Sequence, residues 1–472
     1  MKTLKNYFLN SSYQLLVIII PVITIPYISR VLGKTGIGIN TFTYTVVQYF
    51  ILIGSLGIAL YGNREIAYHQ KDKSTRSQVF WEIVFLRFCS MGLAILAFII
   101  FLFFVGGDIK IYLLQSIALL AAVFDISWYF MGMENFQRTV IRNFLVQMIS
   151  LFSIFTFVHT SEDLWIYILI VTGSTFLGNI SLWLYLPSEV FRPRLSYFKN
   201  INNHFMATLA LFFPQIAVSI YLLLNKLMLG ILDSTNAAGF FAQSDSIIRI
   251  SFTIVTSLST VMMPKISALF IENDIKGIHK QLKLSITIML GLAFPLAFGI
   301  LAVSQKFAPW FFGSQFAEVG ILMALESPII IFLSMGSLFG TQYLIPTKRT
   351  KILSFSYIYG AIINLVANFI AIPLYGAKGA ITVAVLTEGI VTIYQMYHVR
   401  KEFDYRNMFQ GTWKYLVSAM IMCVIVYGII QSVRLNIITL TGIVVVGILI
   451  YSFGNIILKS RLYEEVKAFR KK

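Results

Sequence analysis

Residues 221–250, YLLLNKLMLGILDSTNAAGFFAQSDSIIRI, contain two apolar runs, each most of a membrane span in length, with Lys226, Asp245 and Arg249 inside them. A charge near the bilayer centre costs about 2.5–3.5 kcal/mol on insertion scales, so such residues face a polar cavity or a partner. The stretch therefore reads as part of a membrane protein with a charged interior. Residues 26–33, PYISRVLG, echo it: Arg30 stands just before a Leu-Gly step at the end of an apolar run, as Lys226 stands before Leu229-Gly230.

Composition agrees with this reading. The chain has 472 residues, 58% hydrophobic and 12% charged, where a soluble domain carries about 25% charged residues. Its net charge of +17 would suggest nucleic acid in a soluble protein, but the inward loops of a polytopic chain collect Lys and Arg in any case. MKTLKNYF at the start places bases before an apolar run. No small-residue cleavage site follows and further spans do, so the expectation is a first span rather than a signal peptide. Cys89 and Cys423 lie in apolar runs and are expected to be buried as small hydrophobes.

A helix crosses the hydrocarbon core with about 20 apolar residues, and on that criterion the chain holds about 14 spans. They fall at 8–29, 37–60, 79–104, 111–132, 140–158, 164–186, 205–231, 237–262, 284–304, 318–345, 352–372, 377–397, 413–431 and 436–457. The charges orient them. Of the 37 Lys and Arg, Arg30, Lys34, Lys110, Lys306, Lys378 and Arg434 fall in or at the edge of outward segments and Arg87, Lys226 and Arg249 well inside spans, leaving 28 in or at the edge of inward segments. That bias places both termini in the cytoplasm and accounts for most of the positive charge without nucleic acid.

The longest expected loops, 62–78, 187–204 and 264–283, leave no room for a catalytic or nucleotide-binding domain outside the membrane. The tail KSRLYEEVKAFRKK puts Leu462, Val466 and Phe469 on one face among bases, which suits either a helix on an anionic leaflet or a solvated tail. The resemblance between spans 1 and 7 suggests two parallel six-span lobes, a plan known among transporters. The expected division is 1–186 for the first lobe, 187–204 for a linker, 205–397 for the second lobe, and 398–472 for two further spans and the basic tail. The fold class is thus an all-α integral membrane protein: two pseudo-symmetric six-helix lobes plus two C-terminal helices.

The interior bases are Arg30, Arg87, Lys226 and Arg249, and the interior acids Asp125, Asp245, Glu326 and Glu388. Asp245 and Arg249 have the spacing and order of an intrahelical pair. Arg87 is expected to pair with Glu82 or to snorkel. Lys226 has no opposite charge within a turn, which makes it the strongest candidate to meet a substrate. Basic groups in a membrane cavity favour an anion, above all a phosphate or diphosphate. For the acids two readings stand: they bind a coupling proton or sodium ion, or they balance the bases.

Prolines in spans 1, 7, 9 and 10, including Pro21, Pro26, Pro214, Pro295 and Pro328, bend helices. Trp128, Tyr129, Trp183 and Trp310 suit sugar stacking or, better, interfacial anchoring. Gly33-Lys34-Thr35 ends like a phosphate-binding loop, but Ile28 stands where its first glycine belongs. Metal-ligand spacing and a nucleophile elbow are absent from the sequence.

Several stretches in order, PYISRVLGKTGIG (26–38), YFILIGSLGIALYGNREIA (49–67), DISWYFMGMENFQRTVIRN (125–143), NKLMLGILDSTNAAGFF (225–241) leading to VMMPKISAL (261–269), IPTKRTKI (345–352) and NLVANFIAIPLYGAKGAITVAVLTEG (364–389), resemble the lipid-linked oligosaccharide flippases. These are the Wzx-type polysaccharide exporters of the multidrug/oligosaccharidyl-lipid/polysaccharide exporter superfamily, in which MATE transporters also fall. The resemblance implies a two-lobed, V-shaped exporter of 14 helices that turns undecaprenyl-diphosphate-linked sugars from the inner to the outer leaflet of the bacterial cytoplasmic membrane. It places Arg30, Lys226 and Arg249 where relatives carry cavity or portal bases, and Asp125 and Glu388 in family motifs. The implied partners are the lipid-linked glycan, membrane lipid, and glycan polymerase or synthesis machinery beside a monomeric chain. No cofactor is expected, and proton or sodium coupling stays open. The cargo is a capsule unit, an O-antigen or a teichoic acid precursor. A cation-coupled multidrug exporter of the same superfamily is the main alternative, and a membrane glycosyltransferase or ligase ranks below it for want of a catalytic outward loop.

Overall fold

In a computed structural model of the chain, the described residues are 2–194, 197 and 201–469, with side chains described from 19 onward except 210, 211, 213–222, 466, 468 and 469. Pro214, Val466 and Phe469 fall outside the described side chains. Among the described residues every regular element is a helix.

The chain forms two compact units, residues 1–223 and 224–472. Unit 1 holds α1 (Lys2–Ser55), α2 (Ile58–Tyr68), α3 (Lys73–Phe104), α4 (Ile109–Gln115), α5 (Ile117–Val123), α6 (Ser127–Gly132), α7 (Phe136–Phe157), α8 (Leu164–Trp183), α9 (Leu186–Glu189) and most of α10 (Ile201–Leu232). Unit 2 takes the end of α10, then α11 (Thr235–Ile271), α12 (Ile275–Phe311), α13 (Ala317–Glu326), α14 (Ile329–Gly336), α15 (Thr350–Val399), α16 (Tyr405–Met408), α17 (Trp413–Ser432), α18 (Ile437–Ile457) and α19 (Arg461–Phe469). The division between these units falls inside α10.

Among the described residues ten helical stretches are long and apolar enough to cross a membrane, and α13 with α14, bent by 49° at their junction, makes an eleventh. Two of the ten are double. Gly33 (φ 64°, ψ −178°) interrupts α1, and Gly376 (φ 56°, ψ −136°) interrupts α15. A side chain resists such positive φ values, so glycine is what allows these breaks. Counting the halves separately and adding α10 gives fourteen segments. Gly33-Lys34-Thr35 is accordingly a helix break and not a phosphate loop. Its sequence echo at Gly230 is different in kind, because Gly230 continues α10 as ordinary helix.

The helices extend further than their apolar windows. The expected loop 62–78 shrinks to residues 69–72, because Asp72 caps α3 by accepting from Ser74 N at 2.9 Å. The Thr75 hydroxyl and the Ser74 N–H hold the Asp72 carboxyl below its ordinary range. Asp274 likewise starts α12 by accepting from Gly277 N at 2.8 Å, which cuts the expected loop 264–283 to residues 272–274. Short polar caps satisfy orphan N–H groups and carry a helix beyond the membrane edge.

In unit 1 a core of Ile58, Phe80, Ile83, Trp128, Tyr129 and Phe130 joins α2, α3 and α6. Trp128 and Tyr129, expected as interfacial anchors, are fully buried. The Trp128 ring stacks on Phe80, with centroids 5.6 Å apart, and aromatic packing of this kind outweighs an interfacial position. Within this core lies a polar chain: Tyr61 Oη and His204 Nδ1 are 2.7 Å apart, and His204 Nε2 and Glu82 Oε2 are 2.8 Å apart. All three residues are buried. The carboxylate accepts from Nε2, and Nδ1 shares a proton with the tyrosine hydroxyl. This chain ties α2, α3 and the start of α10 together. Tyr61→Phe strands the buried Nδ1, and an unsatisfied buried group costs about 1–3 kcal/mol. A lowered melting temperature in detergent, with wild-type behaviour of the exposed control Tyr68→Phe, checks it.

In unit 2, α12 packs against α11, α13, α14 and α17. Ile286, Met289, Leu338, Phe339 and Tyr415 form its largest core, and a second joins Ala302, Ala419, Met422 and Val426 to Ile443 and Tyr451 of α18. The tail helix α19 docks on this unit rather than lying free: Leu462 packs against the core and its N–H donates to Tyr415 Oη at 3.1 Å. Cys89, expected to be buried, is exposed, and Cys423 is half-buried. In an apolar membrane helix a thiol gains little by facing inward rather than lipid.

Candidate functional site

Five of the expected charged residues converge in unit 2. Lys226 lies on α10, Asp245 and Arg249 on α11, Glu326 at the end of α13 and Glu388 on α15. Lys226 Nζ is 3.1 Å from Asp245 Oδ2, and Arg249 Nε donates to Asp245 Oδ1 at 2.7 Å. The intrahelical Asp245–Arg249 pair is thus present. Lys226, isolated in sequence, has its counterion one helix away. Asp245 is buried at 7% side-chain exposure, whereas Lys226 keeps 22% and Arg249 43%. A buried carboxylate thus holds two cations that are each more exposed than it is, so the accessible part of this trio is positive.

Glu326 is fully buried and accepts a hydrogen bond from the Ser244 hydroxyl. It ends α13 just before Ser327-Pro328, at the bend in the span, and a π-helical stretch, Ser337–Leu344, follows α14. Irregular backbone at membrane depth persists where protein or a polar cavity receives it. Glu326 and Glu388 both lie close enough to Arg249 to act on it electrostatically. Counted as ions the five groups carry two positive and three negative charges, so this is a balanced cluster rather than a simply cationic tunnel.

Three asparagines that the sequence reading passed over tie together the helices beside Lys226. Asn368 Nδ2 donates to Asn225 Oδ1 at 2.7 Å and to Asn364 Oδ1 at 2.9 Å, pinning α10 to α15 beside the lysine. All three are buried. The signal was there in NLVAN, residues 364–368, whose amides repeat at i, i+4 inside an apolar run.

The other expected residues lie in unit 1. Arg87 does not pair with Glu82, which is taken by His204 and by Gln78. Its Nη2 instead stands 3.8 Å from Asp125 Oδ2, and its Nε donates to Ala122 O at 2.7 Å. The reason is the break between α5 and α6, which orphans several carbonyls. Arg87 caps Ala122, Asn179 Nδ2 donates to Ala121 O at 2.6 Å, and Trp183 Nε1 donates to Phe124 O at 2.8 Å. Lipid offers no donor, so side chains of α3 and α8 must supply them. Trp183 is therefore a capping residue rather than an anchor. Asp125 Oδ1 accepts at 2.9 Å from the N–H of Ser127, the first residue of α6. The pair lines a cavity of about 520 Å³ together with Tyr44, Gln48, Thr175 and Asn179. Arg30 is exposed on α1 near the Gly33 break, away from that lining.

Comparison with known proteins places these features in a family. Residues 3–270 match the polysaccharide biosynthesis protein family. A protein assigned as an O-antigen transporter of Escherichia coli K12 is 22% identical over 392 residues, covering 81% of this chain and 93% of its own length. A protein assigned as a low-salt glycan biosynthesis flippase of Haloferax volcanii is 21% identical over 268 residues, covering 57% of this chain and 55% of its own. Among solved structures, the lipid II flippase MurJ in an inward closed conformation superposes with a TM-score of 0.76 at 16% identity, over 97% of this chain and 99% of MurJ. An inward-facing multidrug resistance MATE transporter of the MOP superfamily superposes with a TM-score of 0.61 at 13% identity, over 81% of this chain and 97% of its own. With the fold of these transporters and a signature that spans more than half of its length, the chain belongs to the polysaccharide biosynthesis protein family.

Proposed function

We propose that this protein is a transporter, not an enzyme, that carries a polyprenyl-diphosphate-linked glycan from the inner to the outer leaflet of the bacterial cytoplasmic membrane by alternating access, with both termini cytoplasmic. The observation that carries the reading is the pair of partly exposed cations, Lys226 and Arg249, fixed on one buried carboxylate. A diphosphate loses hydration as it enters a membrane, and charge-assisted hydrogen bonds from prearranged cations replace it. The polyprenyl tail, undecaprenyl in bacteria, stays in lipid throughout. The names carried by the relatives, O-antigen transport and glycan flipping, point the same way. An O-antigen, a capsule unit or a teichoic acid precursor are the cargoes this reading admits, with glycan synthesis machinery as the natural neighbour.

A cation-coupled multidrug exporter would share the fold. It would rest on the acids Asp125, Asp245, Glu326 and Glu388. In unit 2 those acids are spent on neighbours: both Asp245 oxygens on bases and one Glu326 oxygen on Ser244. We read them as charge balance, so export persists when proton and sodium gradients are collapsed. In proteoliposomes carrying a fluorescent polyprenyl-diphosphate disaccharide, the purified chain exposes the inner-leaflet label to an external quencher, and tetraphenylphosphonium does not compete. Efflux of that cation with no movement of the lipid would overturn the reading.

A further inference from the structure

The Arg87–Asp125 pair in unit 1 is an open one. At 3.8 Å the two groups attract, but they are beyond hydrogen-bond distance. Arg87 is 3% exposed, and its Nη1 is buried with no hydrogen-bond partner among the described residues. Asp125 keeps 27% side-chain exposure, and among the described residues its Oδ2 meets the distant guanidinium alone while Oδ1 serves Ser127. A donor fork and an acceptor oxygen thus stand side by side, both with capacity left, at the wall of a cavity of about 520 Å³. That volume falls within the roughly 300–1,000 Å³ of small-ligand sites.

The charge pattern selects the ligand. An anion that approached Arg87 would meet the Asp125 carboxylate, and a cation drawn to Asp125 would meet the guanidinium. A hydroxyl both donates and accepts, so a ring bearing adjacent hydroxyls satisfies the two groups at once. Tyr44 and Gln48, which hydrogen-bond each other, and the Thr175 hydroxyl add polar groups of the same neutral kind to the wall.

We infer that this cavity binds an uncharged sugar residue of the glycan head group, with Arg87 donating to and Asp125 accepting from its hydroxyls. The inference rests on the reading of the chain as a glycan transporter and adds to it a place where one glycan is told from another. A site built to hydrogen-bond a hydroxyl rejects an analogue that lacks it, because its own polar groups are then left unpaired.

The test uses the full chain in nanodiscs with Cys89→Ser, Cys423→Ser and, on the cavity wall, Ala118→Cys. A water-soluble maleimide reports access. Methyl glycosides of glucose, galactose, rhamnose and N-acetylglucosamine are added singly at about 100 mM, which fills a site of millimolar Kd. At least one of them should slow labelling about tenfold, and inorganic pyrophosphate and tetraphenylphosphonium should not. Asp125→Asn, which keeps an oxygen for Ser127 N, should remove the protection in protein that stays monodisperse in size-exclusion chromatography. Absence of labelling, absence of protection by every glycoside, equal protection by pyrophosphate or the cation, or protection that survives Asp125→Asn each overturn the assignment. Lipid flipping by the parent chain is measured separately. A chain that flips lipid-linked glycan yet shows no sugar protection loses only the cavity assignment, whereas one that does not flip loses the transport reading.

Discussion

Lys226→Ala lowers export of lipid-linked glycan by about 10- to 100-fold, the equivalent of losing one hydrogen bond to a charged group at about 1.5–3 kcal/mol. Lys226→Arg keeps the charge and is milder. The geometry sets a sharper comparison, because Lys226 also neutralises Asp245 at 3.1 Å. If that were its whole purpose, removing the acid as well would restore export. If the lysine meets the diphosphate, Lys226→Ala/Asp245→Ala is at least as impaired as the single variant, because Arg249 loses its anchor as well. We expect the second result, since Arg249 already holds Asp245 through its other oxygen at 2.7 Å. Membrane level and melting temperature of each variant separate lost transport from lost fold, and recovery of export in the double variant would return Lys226 to a purely structural place.

Gly379→Ala is expected to have the largest structural effect. Gly379 follows the Gly376 break in α15, and a Cβ built on it would lie 2.2 Å from the carbonyl oxygen of Ala371, before the break. The obstacle is backbone, so no rotamer change relieves it. Either the bend opens or the variant fails to fold, at a cost above the roughly 1–3 kcal/mol usual for overpacking. The bend holds the part of α15 that carries Glu388 against the part that carries Asn364 and Asn368. The variant should therefore lose monodisperse protein in size-exclusion chromatography. Gly442→Ala, where nothing lies within 4 Å, should leave the melting temperature unchanged or slightly raised, as alanine favours helix by about 1 kcal/mol over glycine.

Much of the fold was written along the chain. Membrane spans announce themselves because hydrocarbon tolerates almost nothing but apolar helices, and the charge-bearing spans stood out for the same reason. The ends of the helices were less legible. Asp72 and Asp274 are single polar residues whose capping role depends on local backbone geometry, so α3 and α12 begin several residues earlier than apolar runs suggest. The breaks at Gly33 and Gly376 look in sequence like any other glycine in a membrane helix, while Gly230 stays helical.

The sequence by itself determined that this is a many-helix membrane protein and which handful of charges it must accommodate, because the expense of a charge in lipid makes each one conspicuous. Only the tertiary structure decided their partners: Lys226 with Asp245, Arg87 with Asp125 and the carbonyl of Ala122, Glu82 with His204. Pairing energies fall off within a few ångströms, and the groups involved lie up to 122 residues apart along the chain. No spacing along one helix reveals which neighbour will stand opposite once the helices pack.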